Sequence, residues 1–395
     1  MELPTRVSNL ERARRRHGAR ADFYVSFLLR SDELADAVVE AFEALPPGHG
    51  QALLDRALDH GIRAVPEAPP PLRALFAQVD EVPEWVDWET LRLGARTYQR
   101  TGVAGSLVLS AFSLMNGYHS HAAAKPLLFT GQLDRMARRR LAETGQFVAA
   151  TCQVDGLRRF APGFKTTIRV RIVHAWVRRC LLRSAWWRSD AWGLPINQAD
   201  MAATNLAFSV AVLFGTRRLG FRFTQAEGDS VIQLWRYSGF LSGIDVGLLC
   251  SSEAEAMEWA DLVDLVQPGP DEGSRRLAHA LRRVTYERAE TPLQGLVAEV
   301  LARYHDGVTR AVAGDQVADD LGIGNAAWKY AVPLTRALLT PLELLRERLP
   351  GATTLSALAG NLVWTRAVAQ ELRGKPARFA PPPVSPRPLG VGDAA

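Results

Sequence analysis

The chain is short of the residues that usually announce a function. Three cysteines, Cys152, Cys180 and Cys250, occur in 395 residues. They are odd in number and far apart, and no CxxC pair is present. A disulfide framework and a cysteine-based zinc site are therefore excluded, and a reducing setting is expected. HExxH, GxSxG and P-loop patterns are absent, which removes the usual signatures of metalloproteases, serine hydrolases and nucleotide enzymes. A secretory signal needs an apolar stretch after its basic region. Here Arg12 to Arg20 leads into Ala21-Asp22-Phe23, and charges return at Arg30, Asp32 and Glu33. An unprocessed cytoplasmic chain is the expectation. Excess charge of one sign is also scarce, with 47 Lys+Arg against 42 Asp+Glu and a formal charge of +5. With no zinc-finger spacing and no aromatic–basic ribonucleoprotein motif, no nucleic-acid partner is expected. The basic residues cluster at Arg12 to Arg20, Arg135 to Arg140 and Arg169 to Arg183. Apolar residues lie between the charges of the last two clusters, which read as helix faces, solvated or matched by carboxylates. Long alternating strand patterns are missing as well. The short run Val170 to Val173 is interrupted by Arg171 and continues into Ala-Trp-Val-Arg-Arg, which suits a helix better.

What is present is helical periodicity. The composition, 47% hydrophobic, suffices for one large core or two smaller ones. Ser31 precedes Asp32-Glu33 as an N-cap before acids of a first turn, and Leu34 to Leu45 follows until Pro46-Pro47 stops it. Pro66 to Pro71 is a break, and residues 72–98 resume helical spacing. Between Arg100 and Lys125 there is no formal charge. A spanning helix needs roughly 20 predominantly apolar residues. Val103 to Met115 is apolar, but Asn116, Tyr118, His119 and His121 follow, so a buried helix is favoured over membrane contact. The tail from Lys375 is rich in proline, glycine and alanine and is expected to be disordered. The chain thus divides into an N-terminal helical extension (1–80), a main helical body (84–370) and a Pro-rich tail (375–395).

Three local patterns bear on chemistry. Gly322-Ile323-Gly324-Asn325-Ala326-Ala327 matches the relaxed GxGxxA fingerprint, but that motif must follow a strand. Here it follows Asp315 to Asp320, which reads as helix, so a helix end and turn is the better account. His119 and His121 lie about 200° apart on a helix and would not share a metal there; a helix-end or pocket-lining role is expected. The third pattern is Thr166-Thr167-Ile168-Arg169-Val170-Arg171-Ile172-Val173-His174-Ala175-Trp176-Val177-Arg178-Arg179. On a helix, His174 shares a face with Val170, Arg171, Val177 and Arg178. That set suits a haem: imidazole for iron, apolar side chains for the macrocycle, and guanidinium groups for propionates. On spacing alone a hydrogen-bonded core histidine is the commoner role of a lone helical histidine.

With its surroundings, this passage resembles the latex-clearing proteins (rubber oxygenases) and the oxygenase of mycophenolic acid biosynthesis. Three blocks carry the resemblance, which covers roughly residues 84–250. They are Thr130-Gly131 through Arg139-Arg140-Leu141-Ala142-Glu143-Thr144, the Arg169 to Arg179 passage, and Trp192-Gly193-Leu194-Pro195-Ile196-Asn197-Gln198-Ala199-Asp200 followed by Trp235-Arg236-Tyr237-Ser238-Gly239. The resemblance implies an all-α fold, a globin-like helical core around a haem, with extra N- and C-terminal helices. It implies non-covalent haem b, His174 as the proximal iron ligand, and dioxygen and a small apolar substrate as partners. The rubber oxygenases carry an Arg-x-x-Lys-Thr motif on the distal side. The matching residues here are Arg140, Glu143 and Thr144, with Glu143 in place of the lysine. By spacing, a further acidic residue linked to catalysis in that family falls near Ala124, where this chain has none.

Each site residue has two readings. Glu143 is a general base or accepts a bond from Arg140, or else pairs structurally with Arg139, Arg140 or Lys125. Arg140 bonds a bound oxygen species or a propionate, or is an ordinary surface arginine. Thr144 serves the distal pocket or bonds back to its helix. Arg171 and Arg178 are propionate candidates by spacing alone, and Asn197 or Asp200 caps the next helix. The resulting expectation is a haem b-dependent oxygenase for an apolar, isoprenoid-like alkene, bound among aromatics of the Trp88–Phe112 and Phe147–Phe160 regions. The alternatives are a non-enzymatic haem protein for gas or peroxide sensing or carriage, and a haem-free helical scaffold. The oligomeric state is not legible.

Overall fold

The computed structural model describes residues 2–129, 133–286, 291–324 and 326–372, with only the helical backbone of 133–138 and 285–286. Thr130-Gly131, Asn325 and the Pro-rich tail fall outside these residues. Among the described residues every regular element is helical. The first group is α1 (Leu10–His17), α2 (Ala19–Ser26), α3 (Glu33–Glu43), α4 (His49–His60) and α5 (Pro70–Asp80). The body comprises α6 (Trp88–Arg100), α7 (Gly102–Val108), α8 (Met115–His119), α9 (His121–Phe129), α10 (Leu133–Thr151), α11 (Pro162–Leu182), α12 (Ser189–Trp192), α13 (Gln198–Phe208), α14 (Val210–Leu219), α15 (Gln225–Leu241) and α16 (Glu253–Val266). The chain continues through α17 (Glu272–Tyr286), α18 (Pro292–Ala313), α19 (Asp315–Asp320), α20 (Ala331–Arg348) and α21 (Ala352–Glu371).

One hydrophobic cluster runs from Ala13, Tyr24 and Val38 through Leu75, Ile172 and Trp235 to Trp364 and Val368. The first 80 residues therefore share a core with the body. Where two helices approach closely, glycine makes room. A Cβ at Gly94 would lie 2.2 Å from the Ser230 carbonyl oxygen of α15, and one at Gly360 would lie 2.1 Å from that of Gln99. Helix α6 is thus wedged between α15 and α21 at distances that a side chain would forbid.

Ion pairs fasten the N-terminal group to α11. Asp32 caps α3, accepting from the Ala35 amide at 3.2 Å. The cap is thus one residue later than Ser31, because a carboxylate there serves two purposes. It also receives Arg171 Nε at 2.6 Å and Nη2 at 2.9 Å, and both side chains are buried. One turn along α3, Asp36 receives Arg178 Nε at 2.8 Å. Glu43 receives Arg179 and Arg183, and Asp55 receives Arg169. The basic cluster of α11 is matched by carboxylates contributed by α3 and α4, which pin α11 along much of its length.

The uncharged stretch after Arg100 is helix, mostly buried or half-buried but with Val103 exposed, and it has one departure. Residues Leu109–Leu114 widen into a π-helical turn between α7 and α8. Such turns concentrate at functional sites because they displace side chains from the regular ladder. The stretch 72–98 is two helices, broken between Asp80 and Trp88, and Asp87 caps the second by accepting from the Glu89 and Thr90 amides. The GxGxxA segment is a helix end. Gly322 has φ +71°, its amide donates to the Asp319 carbonyl at 3.0 Å, and the Ile323 amide donates to that of Ala318 at 2.8 Å. Among the described residues no strand precedes it.

Candidate functional site

The π turn, α8, α10, α11, α13, α15 and α21 enclose a cavity of about 1150 Å³. On one wall His174 sits at mid-α11 with Val170, Val173 and Val177, all lining the cavity. The regular i, i±3/4 spacing of a helix puts them there. The imidazole makes no hydrogen bond among the described residues, and its Nδ1 is buried without a partner. Burial, with the Arg178 charge second, lowers its pKa from 6.5 to about 4. The nearby Asp32 charge opposes this, while Arg140 adds to it. At neutral pH the ring is uncharged and keeps a lone pair free, as a metal-ligating histidine must.

Arg140, Glu143 and Thr144, on consecutive turns of α10, also line this cavity. Arg140 is half-buried, and burial pulls its guanidinium below the ordinary range, with the charges of Glu143 and Tyr118 opposing this. It nevertheless stays charged, as arginine does. Among the described residues it is the one lysine or arginine of the wall. Glu143 receives Arg139 Nε at 3.1 Å, the i, i+4 pairing that was one of its two readings, while its side chain also borders the cavity. Thr144 makes no bond back to its helix among the described residues and presents its side chain to the cavity wall. The fold thus brings His174, Arg140, Glu143 and Thr144 to one space.

Arg171 and Arg178 are not part of it. Neither lines the cavity; their guanidinium groups are engaged by Asp32 and Asp36, and Arg178 Nη1 donates to the Ile196 carbonyl at 2.7 Å. Helical spacing placed them near His174 in sequence, but carboxylates from α3 claim them. Arg178 Nη2 stays buried and unpartnered. Asn197 caps α13 through the Asp200 amide at 2.8 Å, and Asp200 itself is held by Arg6 at 2.7 Å. Gln198 bridges the Gly243 carbonyl and the Asp245 amide. His119 and His121 diverge. The first meets Asp320 at 2.9 Å at the end of α8, and the second meets the Gly269 carbonyl at 2.8 Å. No grouping of three or more metal-binding side chains occurs among the described residues.

Most of the rest of the wall is apolar. Phe112 and Phe147 line it, whereas Trp88 and Phe160 do not. Phe208, Phe214, Trp235 and Trp364 complete it. Phe208 and Trp235 stack at 5.1 Å with 15° between their planes, and Phe147 meets both rings edge-on. Trp235 belongs to a quoted motif, but nothing local marks it, Phe208 or Trp364 as cavity residues. Tyr118, from α8, is another unmarked member; burial raises its phenol to about 12, with the Arg140 charge opposing. Ala123 and Ala124 line the wall, and carboxylates reach it from elsewhere. Asp261 is held by Arg16 and His17, and Asp264 receives Asn116 at 3.3 Å.

Comparison with known proteins agrees with this architecture. Residues 99–341 match the family model of the ER-bound oxygenase mpaB/B'/rubber oxygenase catalytic domain. The rubber oxygenase of Streptomyces sp. (strain K30) is 26% identical over 319 residues, covering 79% of this chain and 72% of that protein. The structure of latex clearing protein LCP in the closed state superimposes with a TM-score of 0.58 at 19% identity, over 87% of this chain and 88% of the other. The matched segment carries α10, α11 and most of the cavity, and the chain belongs to the mpaB/B'/rubber oxygenase catalytic-domain family of oxygenases.

Proposed function

We propose that the chain is a haem b-dependent oxygenase acting on a small apolar alkene of isoprenoid type. The observation that carries this reading is His174, a neutral imidazole with no hydrogen-bond partner, midway along an ion-paired helix on the wall of a large, mostly apolar cavity. Burying a polar nitrogen without a partner costs stability, roughly 1–3 kcal/mol. A ligand bond at the ring offsets that cost, whereas a purely structural histidine would bond to backbone or side chain. The cavity exceeds the span of pockets for drug-sized ligands, about 300–1,000 Å³. It therefore has room for a macrocycle and a substrate together.

In this reading His174 would hold the haem iron, and Val170, Val173 and Val177 would pack against the macrocycle. A haem so held supplies iron redox chemistry toward dioxygen. Arg140 offers charge-assisted donors to an anionic group in the cavity. Glu143 accepts a proton at its carboxylate, and the Thr144 hydroxyl donates or accepts a hydrogen bond beside it. Phe112, Phe147, Phe208 and Trp235 exclude water and give an extended apolar chain a bed of aromatic faces. No propionate role is assigned to Arg171 or Arg178.

Purified protein expressed with haem supplementation is expected to be red with a Soret band. His174→Ala removes the colour while helical circular dichroism survives. Oxygen consumption with a panel of terpenoid alkenes then tests the substrate class. A colourless, metal-free wild-type protein after haem supplementation overturns the proposal. A red protein that turns over none of these alkenes overturns the substrate class alone.

A further inference from the structure

The last two helices carry an apolar face that nothing in the described chain covers. Along α20, Leu334, Leu338, Leu342, Leu345 and Leu349 recur every three or four residues and are 50–64% exposed. Leu355, Leu358 and Leu362 continue the pattern on α21 at 47–68%. The helices adjoin through Pro350-Gly351, where Gly351 takes φ +78°. Leucines exposed singly mean little, but a run of this length on adjoining helices marks an interaction surface.

Its charges indicate the occupant. Arg348 and Arg366 border the stripe, are exposed and make no ion pair among the described residues. The acids of the two helices are spoken for or distant. Glu343 is buried against Arg100 and Arg346, Glu347 pairs with Arg222 at 2.9 Å, and Glu371 lies at the far end of α21. An apolar stripe flanked by uncompensated arginines suits an anionic phospholipid surface. It suits a second copy poorly, because an isologous pairing sets the same face against itself and brings cations no carboxylate to meet. The hairpin itself is too charged to span. Among the described residues, the segment apolar and long enough to cross a membrane is Gln198–Leu219, and 56% of its apolar window is buried in the core.

The face is continuous with the cavity. Val363, Trp364 and Ala367 of α21 line it, as does Val103 of α7. Val363 is 44% exposed and Val103 is 66% exposed. Gly102 and Gly360 bring α7 and α21 close together, since a Cβ at Gly102 would lie 3.2 Å from the Gly360 Cα.

We propose that α20–α21 is a membrane-surface docking hairpin that seats the protein on anionic phospholipid, with the α21 wall of the cavity toward the bilayer. The leucines enter the acyl boundary and the arginines meet lipid phosphates. Docking stands without the haem reading. The corollary that an apolar substrate passes from the bilayer into the cavity rests on that reading.

The test is flotation of the full-length protein with phosphatidylcholine vesicles, with and without phosphatidylglycerol, at low and high salt. Strong binding to the anionic vesicles that weakens with salt is expected. Leu338→Glu combined with Leu345→Glu lowers the partition coefficient roughly a hundredfold, about tenfold per leucine. Arg348→Gln and Arg366→Gln each lower binding to anionic vesicles about fivefold and leave neutral vesicles unaffected. Circular dichroism verifies folding, and the arginine variants, which alter no buried side chain, read the electrostatic contribution independently. Absence of binding to either vesicle overturns the proposal. So does binding that the leucine variants leave unchanged. Light scattering that shows a dimer abolished by the leucine variants, with no vesicle binding, assigns the face to a second copy. A protein that binds vesicles but holds no pigment refutes the haem reading and not the docking.

Discussion

Arg171 is the sharpest place to separate a structural arginine from a cofactor anchor. It stands three residues before His174 on α11 and was expected from spacing to meet a propionate. Its side chain is 2% exposed and that of Asp32 is 5%, and they share two hydrogen bonds of 2.6 and 2.9 Å. Removing one member of a buried pair leaves the other charge without compensation, at a cost of roughly 3–5 kcal/mol. Arg171→Leu should therefore lower the unfolding free energy of the haem-free protein by that amount, read as a lowered denaturation midpoint. Asp32→Leu should cost about 1 kcal/mol more, because it also removes the α3 cap at the Ala35 amide. The double variant should recover most of the loss, since two apolar side chains replace a pair whose desolvation consumed much of its attraction. The assay is chemical denaturation followed by circular dichroism on all four proteins, with haem uptake titrated at the Soret band for the folded fraction of each. Haem uptake per folded molecule should be unchanged in Arg171→Leu. Loss of haem at an unchanged midpoint would refute the reasoning and return Arg171 to the propionates. Strict additivity of the two single costs would refute the pairing.

Other consequences follow from the same geometry. His174 and His305 are both lowered from 6.5 to about 4, chiefly by burial. As pH falls from 6.5 toward 4, the unfolded chain takes up protons that the folded chain refuses. The stability of the haem-free protein should then decline by roughly 1.4 kcal/mol per pH unit for each ring, a slope that His174→Phe or His305→Phe should reduce. Glu143→Gln weakens the i, i+4 pair with Arg139, whose side chain is 37% exposed, and removes the charge that faces Arg140. It should change stability by about 1 kcal/mol or less, while a shift in Soret position or turnover reports its role in the cavity; unchanged spectra and rates would confine it to the ion pairs. Gly94→Ala should destabilise by about 1–3 kcal/mol, because the new Cβ would overlap the Ser230 carbonyl of α15. An unaffected melting temperature would show that α6 and α15 shift apart freely.

The local features were readable because short-range physics determines them. Periodicity, proline breaks and the Asn197 cap act within a few residues, and each appears where the sequence suggests. Arg140, Glu143 and Thr144 share adjacent turns of α10 for the same reason, and the resemblance, not spacing, paired them with His174 on α11. The small misses are informative. The α3 cap moved from Ser31 to Asp32 because that carboxylate also binds Arg171, 139 residues away. The π turn at Leu109–Leu114 has no residue signature, since it depends on how neighbouring helices pack.

By itself, then, the sequence determined an all-helical chain, an imidazole on an apolar helical face, and the polar residues one helix earlier that face the same space. Tertiary structure alone decided which arginines remained available near that imidazole, because carboxylates of α3 reach α11 only after folding. It also decided which aromatics form the cavity, since Phe208, Trp235 and Trp364 come from three helices far apart in the chain. The reason in both cases is that burial and charge pairing depend on distance in space. Sequence spacing reports that distance only within a helix or two.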